Sequence, residues 1–179
     1  MHVFVLYASL EGQTGKIARF IVERAEAAGH EVTLADIGAP MVDVDLSGAD
    51  AVILAAPVHE RRHPQTFEVF VRASREALEA RPALVISVSL KAAFESGRAE
   101  AEEYLSDMLM RTGFEPERSL LVAGAVRAGA YDYFQTQVLR HVVLDGQDVD
   151  PTHGPREFTD WDRLASDIDG FLGDLPPTE

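Results

Sequence analysis

The sequence contains no cysteine. This absence excludes disulfide bonds, catalysis by a thiolate, and zinc or iron–sulfur sites that depend on cysteine ligands. Any redox chemistry that the protein performs must therefore come from a bound cofactor, with the chain supplying the binding site and its electrostatics.

Long apolar runs and an excess of basic residues are also missing. No stretch approaches the ~20 apolar residues of a membrane span, and the amino terminus has no basic region and cleavage site of a signal peptide. The 179 residues carry 16 Lys and Arg against 30 Asp and Glu, a formal net charge of −14, which disfavours binding to nucleic acid or anionic lipid. We therefore expect a cytoplasmic protein, at most peripheral to the inner face of the membrane, with no nucleic-acid partner.

Five short apolar runs alternate with amphipathic helical patterns along the chain. Such runs are typical of strands buried on both faces of a parallel sheet, and the alternation predicts an α/β fold with a doubly wound sheet and helices on both faces. We predict one domain over residues 1–173 and a flexible tail over residues 174–179. The predicted strands are Val3–Tyr7, Glu31–Ala35, Ala51–Ala56, Ala83–Val88 and Leu120–Val126.

Two helix boundaries are predicted from local signals. One helix begins near Pro64 and continues through an apolar stripe as far as Leu78, because proline is favoured in the first helical turn. The last helix begins at Thr159, which opens a capping-box pattern with Asp162 in place of the usual glutamate.

The first strand leads into a short polar loop and then into a helix that begins near Gln13. Ser9, Gly12 and Thr14 give this loop small or hydroxyl-bearing residues. At a helix N-terminus the unpaired N–H groups and the helix dipole favour negative charge. The stretch therefore predicts a phosphate-binding loop.

Three common phosphate loops do not match this stretch. The nucleoside-triphosphate loop needs glycine at position 10 and Ser or Thr at position 17, where this chain has Leu10 and Ile17. The dinucleotide pattern G-x-G-x-x-G is absent. A response regulator would need an acidic pair after the first strand and an aspartate ending the third strand, and neither is present.

The pattern Val5-Leu6-Tyr7-x-Ser9-x-x-Gly12-x-Thr14 instead resembles the flavodoxin signature. The resemblance implies that FMN is the cofactor and that this loop holds its 5′-phosphate. With phosphate bound after the first strand, we expect the flavodoxin-like strand order 2-1-3-4-5 in the five-stranded sheet.

The loops after the third and fourth strands should complete the pocket, because ligands of doubly wound folds lie beyond the carboxyl ends of the strands. These loops are suited to sandwiching the isoalloxazine ring. His59, Arg61 and Lys91 are candidates for a cation at its N1/O2 edge, where negative charge develops on reduction. The full set of expected cofactor-binding residues is Ser9, Leu10, Glu11, Gly12, Gln13, Thr14, Pro57, Val58, His59, Ser87, Val88, Ser89, Leu90, Lys91 and Ala92.

The loop after the third strand also matches the zinc-protease pattern H-E-x-x-H, from His59 to His63. Zinc hydrolysis needs both histidines on one face of a continuous helix, together with a third ligand. Pro57 precedes the motif, and Pro64 follows His63 directly and disfavours a helical conformation there. We therefore expect no metal site.

The chain is unusually long between the fifth strand and the last helix. The 32 residues between Val126 and Thr159 exceed an ordinary connection. We interpret residues 127–158 as an insertion after strand five of the kind found in long-chain flavodoxins.

Over nearly its whole length the chain resembles the bacterial menaquinone-dependent protoporphyrinogen IX dehydrogenases, which are FMN-binding relatives of long-chain flavodoxins. The similarity is carried by Glu11-Gly12-Gln13-Thr14, Phe67, Phe70-Val71, Ser87-Val88-Ser89-Leu90, Val122–Arg127, Tyr131 and Thr159-Asp160-Trp161. It implies oxidation of a porphyrinogen through FMN with a quinone as acceptor, and it makes Arg61, Arg62, Arg127 and Tyr131 candidates for substrate binding.

Two features depart from that family. Its loop after strand three tends to read Arg-Tyr-Gly-His-Tyr-His, whereas this chain has His59-Glu60-Arg61-Arg62-His63-Pro64. Its insertion is basic and aromatic, whereas residues 127–158 carry three arginines against five carboxylates here. Two alternatives therefore stay open: a flavodoxin-like electron carrier that docks redox proteins through its acidic surface, and a flavodoxin fold without flavin that acts as an interaction module.

Overall fold

The computed structural model describes residues 1–39, 42–126 and 156–176. Five parallel strands form one sheet in the order β2-β1-β3-β4-β5, which confirms the predicted topology. Each strand pairs with its neighbours in parallel register, for example Val5 with Leu34 on one side and with Ile53 on the other. The strands are β1 His2–Tyr7, β2 Glu31–Asp36, β3 Ala51–Pro57, β4 Ala83–Ser89 and β5 Arg118–Ala123.

The central strands are the most apolar segments because helices cover both of their faces. Every residue of β4 is buried, as are the first six residues of β3. Strand β2 lies at an edge of the sheet, and none of its residues is buried. This difference follows from position, since an edge strand has one neighbour only.

Five helices are described, and they divide between the two faces of the sheet. Helices α1 and α5 pack on one face, where Ile17, Ile21 and Ile168 join the core. Helices α2, α3 and α4 cover the opposite face, with Phe67 and Met108 at its centre. The helices are α1 Gln13–Ala27, α2 Gln65–Ala73, α3 Arg75–Glu79, α4 Arg98–Thr112 and α5 Trp161–Gly173. Helices on both faces confirm the predicted layering.

Two predicted elements are divided in the structure. The helix expected from Pro64 to Leu78 breaks at Ser74, whose backbone angles (φ −96°, ψ 7°) leave the helical range, and the short helix α3 then turns Leu78 into the core. The fifth strand ends at Ala123 instead of Val126. Gly124 still donates its N–H to the carbonyl of Ser89 in β4, but its own carbonyl accepts from the N–H of Phe158, so the chain leaves the parallel sheet at this residue.

A two-stranded antiparallel ribbon follows Gly124. Strand β6 (Ala125–Val126) pairs with β7 (Arg156–Glu157). Of the insertion predicted over residues 127–158, only the last three residues are described, and the others lie outside the described residues. The ribbon brings the returning chain back beside the end of β5, directly before α5.

The start of α5 differs in detail from the sequence prediction. Asp160, not Thr159, is the N-cap residue, because its carboxylate accepts from the N–H of Arg163 at 3.0 Å. In the tail, Asp174 forms an ion pair with Arg118, and Leu175 packs against the core. Residues 177–179 lie outside the described residues.

Candidate functional site

Three loops lie together at the carboxyl edge of the sheet. Strands β1, β3 and β4 are parallel neighbours, with Tyr7 opposite Ala55 and Pro57 opposite Val88, so the chain leaves all three strands on the same side. This edge is where doubly wound folds bind their ligands. The loops are residues 8–12, 58–64 and 90–97.

The loop after β1 is shaped by a glycine at the start of α1. Gly12 adopts a left-handed conformation (φ 89°), which a residue with a Cβ rarely takes. Its N–H donates to Ser9 Oγ at 3.0 Å, and its carbonyl accepts from the N–H of Lys16 to begin the helix. The leading N–H groups of α1, at Gln13 and Thr14, have no partner within the helix. No acidic residue lies in its first turn, so this terminus suits an anion.

The side chain of Gln13 is hydrogen-bonded to the segment that precedes α5. Its amide donates to Thr159 Oγ1 at 2.9 Å, and the Thr159 hydroxyl donates in turn to the carbonyl of Ala123 at 2.7 Å. Thr14 is buried, whereas Leu10 is 59% exposed at the loop tip. Gln13 can therefore contribute its main-chain N–H, while its side chain joins the start of α1 to the start of α5.

Glu157 accepts several hydrogen bonds beside the same helix terminus. Lys16 Nζ lies 2.6 Å from Glu157 Oε2, and Trp161 Nε1 donates to Oε1 at 2.6 Å. The hydrogen bond from Lys16, with further bonds from Trp161 and Gln13, lowers the pKa of Glu157 below its ordinary value. The base of the insertion is thus attached to the first turns of α1 by a charged contact.

The loop after β3 begins with a tight turn of four residues, His59 to Arg62. The main chains of His59 and Arg62 exchange two hydrogen bonds at 2.9 and 3.0 Å. The two residues between them take positive φ angles, 49° at Glu60 and 66° at Arg61. Left-handed angles at both central positions are typical of a type I′ turn, in which glycine or asparagine is usual. Strain of this kind persists only where surrounding contacts hold it.

His63 lies beneath this turn in the protein interior. Its Nε2 is 2.9 Å from Ser87 Oγ and its ring stacks on Phe67, while its Nδ1 has no hydrogen-bond partner among the described residues. Burial, with the positive charge of Arg111 adding to it and Glu68 opposing it, lowers the pKa of His63 to about 4. The imidazole is therefore neutral at pH 7.

The two histidines of the H-E-x-x-H pattern do not share a helix. His59 belongs to the tight turn and His63 to the interior below it. Within residues 1–39, 42–126 and 156–176, no group of three His, Asp or Glu side chains is placed to hold a metal ion.

Arg62 is held by a carboxylate of α2. Its guanidinium lies 3.0 Å from Glu68 Oε2, and Arg111 from α4 approaches the other oxygen at 2.7 Å. Burial raises the pKa of Glu68, but the hydrogen bonds and charges of the two arginines together outweigh burial and keep that pKa below its ordinary value. Arg62, expected to bind substrate, thus has a structural partner.

The loop after β4 is formed by two short 3₁₀ turns, Lys91–Ala93 and Glu95–Gly97. The N–H of Ala92 donates to Ser89 Oγ at 3.2 Å. Gly97 packs so closely that a Cβ there would lie 2.5 Å from the carbonyl oxygen of Lys91. Ala92 thus donates within the loop, and the Val58 N–H donates to the carbonyl of Val88. Lys91 begins a helical turn, where a main-chain N–H has no partner within the turn itself.

Lys91 and Arg61, from different loops, approach the same carboxylate on α4. Lys91 Nζ lies 2.9 Å from Glu100 Oε2, and Arg61 Nη2 lies 3.8 Å from Glu100 Oε1. The Tyr104 hydroxyl also donates to Glu100. This hydrogen bond, with the hydrogen bond and charge of Lys91 and the charge of Arg61, lowers the pKa of Glu100, while burial and the carboxylate raise the pKa of Tyr104. His59, the third candidate cation, lies 4.0 Å from Glu11 of the first loop.

The predicted site residues that the structure describes therefore lie at one edge of the sheet. Arg127 and Tyr131 lie outside the described residues. Sequence reasoning missed Glu100, Tyr104 and Gly97. The i, i+4 spacing of Glu100 and Tyr104 was a local signal for their hydrogen bond, whereas nothing local indicated that Gly97 packs on Lys91.

The described residues fit FMN at this edge. A helix terminus without acidic residues follows a left-handed glycine, which suits a phosphate. The two flanking loops carry main-chain donors and two cations against one shared carboxylate. Among the described helices, none is long and apolar enough to cross a membrane.

Comparison with known proteins identifies the family. The model of a flavodoxin domain family matches residues 4–151. The chain belongs to this family. Flavodoxin domains of this kind typically bind FMN.

Individual relatives agree with this assignment. Protoporphyrinogen IX dehydrogenase [quinone] of Escherichia coli (strain K12) is 23% identical over 168 residues, 93% of this chain and 92% of that protein. A short-chain flavodoxin associated with a non-canonical PDU bacterial microcompartment superposes with a TM-score of 0.59 at 14% identity, covering 98% of this chain and 99% of its own. Oxidised flavodoxin 1 from Bacillus cereus superposes with a TM-score of 0.57 at 17% sequence identity, and the match covers 98% of this chain and 100% of that one. The two solved structures show that the fold is that of flavodoxins.

Proposed function

We propose that this flavodoxin-family protein is an FMN-dependent oxidoreductase that oxidises a porphyrinogen and passes the electrons to a quinone. The observation that carries the proposal is the set of three loops at the carboxyl ends of β1, β3 and β4, with the Gly12 turn at the start of α1. The similarity to protoporphyrinogen IX dehydrogenase, which spans 93% of the chain, supports this substrate class.

In this proposal the first loop holds the phosphate. Ser9 fixes the loop by accepting from Gly12, so that the N–H groups of Gln13 and Thr14 point beyond the helix terminus. The helix dipole then adds favourable charge at the same place. Ser9 to Thr14 thus act mainly through their backbone shape.

The other two loops flank the ring. Residues 57–59 lie on one side and residues 87–92 on the other, with the Lys91 amide available as a donor. When bound, FMN supplies the group that accepts a hydride and passes the electrons on. Lys91 and Arg61 bring two positive charges against the single charge of Glu100, and this excess favours negative charge at the adjoining ring edge. No side-chain nucleophile is required.

Arg61 is the described residue best placed to recognise an anionic substrate. Its side chain is 62% exposed and lies at a loose 3.8 Å from Glu100, so its guanidinium retains donors for a substrate carboxylate, such as a porphyrinogen propionate. Arg62 is held by Glu68. Arg127 and Tyr131 stay proposed substrate contacts on the strength of the family resemblance.

The proposal is tested by assaying purified protein reconstituted with FMN, under anaerobic conditions, with protoporphyrinogen and a quinone. The expected result is FMN-dependent formation of protoporphyrin coupled to quinone reduction, with a higher KM for R61Q than for the wild type. A flavin-loaded protein that oxidises no porphyrinogen with any quinone would refute the proposed activity.

A second candidate function is electron transfer between proteins. The formal net charge of −14 favours it, because acidic surfaces steer association with basic partners. Electron exchange with a reductase that slows steeply as salt increases, without turnover of a porphyrinogen, would support the carrier.

A further inference from the structure

Glu100 lies where the two ring-flanking loops meet α4. Its two carboxylate oxygens point to different loops, since Oε2 contacts Lys91 after β4 and Oε1 lies nearest to Arg61 after β3. The Tyr104 hydroxyl, one helical turn away, donates to Oε1 and fixes the carboxylate. Arg61 also lies over the Tyr104 ring, 5.9 Å from its centre.

We propose that Glu100 is a positioning residue that couples these two loops and sets the width of the ring pocket between them. The inference rests on the proposed function for its consequence on FMN, but the coupling itself is a property of the protein alone. At the base of the loops the Val58 N–H donates to the carbonyl of Val88. Further along the chain, a shared counter-ion is a direct way to fix the separation of the two loops.

The partial burial of Lys91 supports this role. Its side chain is only 15% exposed, and taking an ammonium group out of water is costly unless a carboxylate or other acceptor pairs with it. Glu100 supplies that partner at 2.9 Å. The backbone of Lys91 packs closely on Gly97, because glycine has no Cβ to collide with the Lys91 carbonyl. Lys91 is therefore fixed at both its backbone and its ammonium group.

The conformation of Arg61 supplies the second part of the argument. Arg61 and Glu60 both have positive φ angles, which cost free energy in residues other than glycine. Such a turn stays in place only if contacts outside it favour that geometry. The carboxylate of Glu100 and the ring of Tyr104 are the contacts that Arg61 makes on α4.

Hydrogen exchange tests the coupling without any cofactor. The amides of His59 and Arg62 report on one loop, and those of Ala92 and Ala93 report on the other. We expect E100Q to accelerate exchange at both loops by roughly five- to tenfold, because a charge-assisted contact is replaced by a neutral one. E100D retains the charge and should restore most of the protection.

The matched control is E102Q, on the same helix. Glu102 is exposed and pairs with Arg98 at 3.3 Å within α4, so the substitution makes the same change in charge without touching either loop. Wild-type exchange in E102Q and faster exchange in both loops of E100Q support the coupling. Faster exchange in one loop only, or equal exchange in the two variants, overturns it.

The consequence for FMN is measured as its dissociation rate. E100Q should release FMN roughly fivefold faster than E102Q, measured at a temperature at which both variants stay folded. If the wild type binds no FMN, the proposed function fails while the exchange result still decides the coupling. If the wild type binds FMN and the loops of E100Q open together without faster release, the role in setting the ring pocket is refuted.

Discussion

The neutral His63 in the interior makes stability depend on pH in a defined window. The ordinary histidine pKa is 6.5, and burial lowers that of His63 to about 4. Between these two pH values the unfolded chain binds a proton at His63 that the folded chain does not bind. The contribution of the neutral His63 to the free energy of unfolding is therefore fully present above pH 6.5 and decreases as the pH falls towards 4. The loss between pH 7 and pH 5 is roughly 2 kcal/mol from this residue alone.

The substitution H63Q tests this magnitude. Glutamine keeps a polar group for Ser87 Oγ but binds no proton in this range. The free energy of unfolding is measured by urea denaturation at pH 7 and pH 5 for both proteins. We expect the wild type to lose about 2 kcal/mol more than H63Q on acidification, whatever their stabilities at pH 7.

A control removes a histidine of the same loop in H59Q, where the side chain is 37% exposed. Its pH dependence is compared with that of H63Q in the same buffers. Equal losses in wild type and H63Q would refute the reasoning, because they would show that His63 is protonated as readily in the folded state as in the unfolded chain.

Two further predictions concern the phosphate loop and the Arg62 partner. G12A and G29A each place a Cβ on a residue with positive φ, 89° at Gly12 and 86° at Gly29, at opposite ends of α1. Each substitution should lower the free energy of unfolding by about 1 kcal/mol, but only G12A should weaken FMN binding in a fluorescence titration. Equal FMN affinities of the two variants would contradict the assignment of the first loop to the phosphate. E68Q removes the carboxylate between Arg62 and Arg111. It should lower the free energy of unfolding, measured by urea denaturation, by roughly 2 kcal/mol. An unchanged urea midpoint would contradict a stabilising role of Glu68.

The sheet was predictable from the sequence because its signals are local and strong. Continuous apolar runs such as Ala51–Ala56 can be satisfied only by burial on both faces, and the phosphate-type loop after the first strand indicated where the strand order reverses. The helix break at Ser74 was not predictable, since the apolar spacing continues through it and burial of Leu78 in the tertiary structure decides the local geometry.

The candidate site was predictable in its loops but not in its contacts. The residues after β1, β3 and β4 followed from topology. The turn from His59 to Arg62 did not, because glutamate and arginine rarely occupy left-handed positions and no local pattern indicated them. The convergence of Arg61 and Lys91 on Glu100 joins residues 39 and 9 positions apart through the fold, and such contacts leave no periodic signal.

The helix cap shows how the same residues can serve a different purpose. Thr159 and Asp162 gave the pattern of a capping box, but the Thr159 hydroxyl bonds to Ala123 and Gln13 instead. Asp160 then caps α5. Thr159 does not cap α5, because its hydroxyl instead satisfies the hydrogen-bonding groups of Gln13 and Ala123, which are distant in the sequence.

We infer that the start of α1 binds the phosphate of FMN. This binding is tested most directly by titrating the purified apoprotein with FMN and with riboflavin, which carries the same ring but no phosphate, and by following the quenching of flavin fluorescence. We expect one FMN per chain and an affinity for riboflavin lower by about a hundredfold, because riboflavin lacks the phosphate that accepts the charge-assisted hydrogen bonds at the helix terminus. Equal affinities for the two flavins, or no binding of FMN, would contradict it.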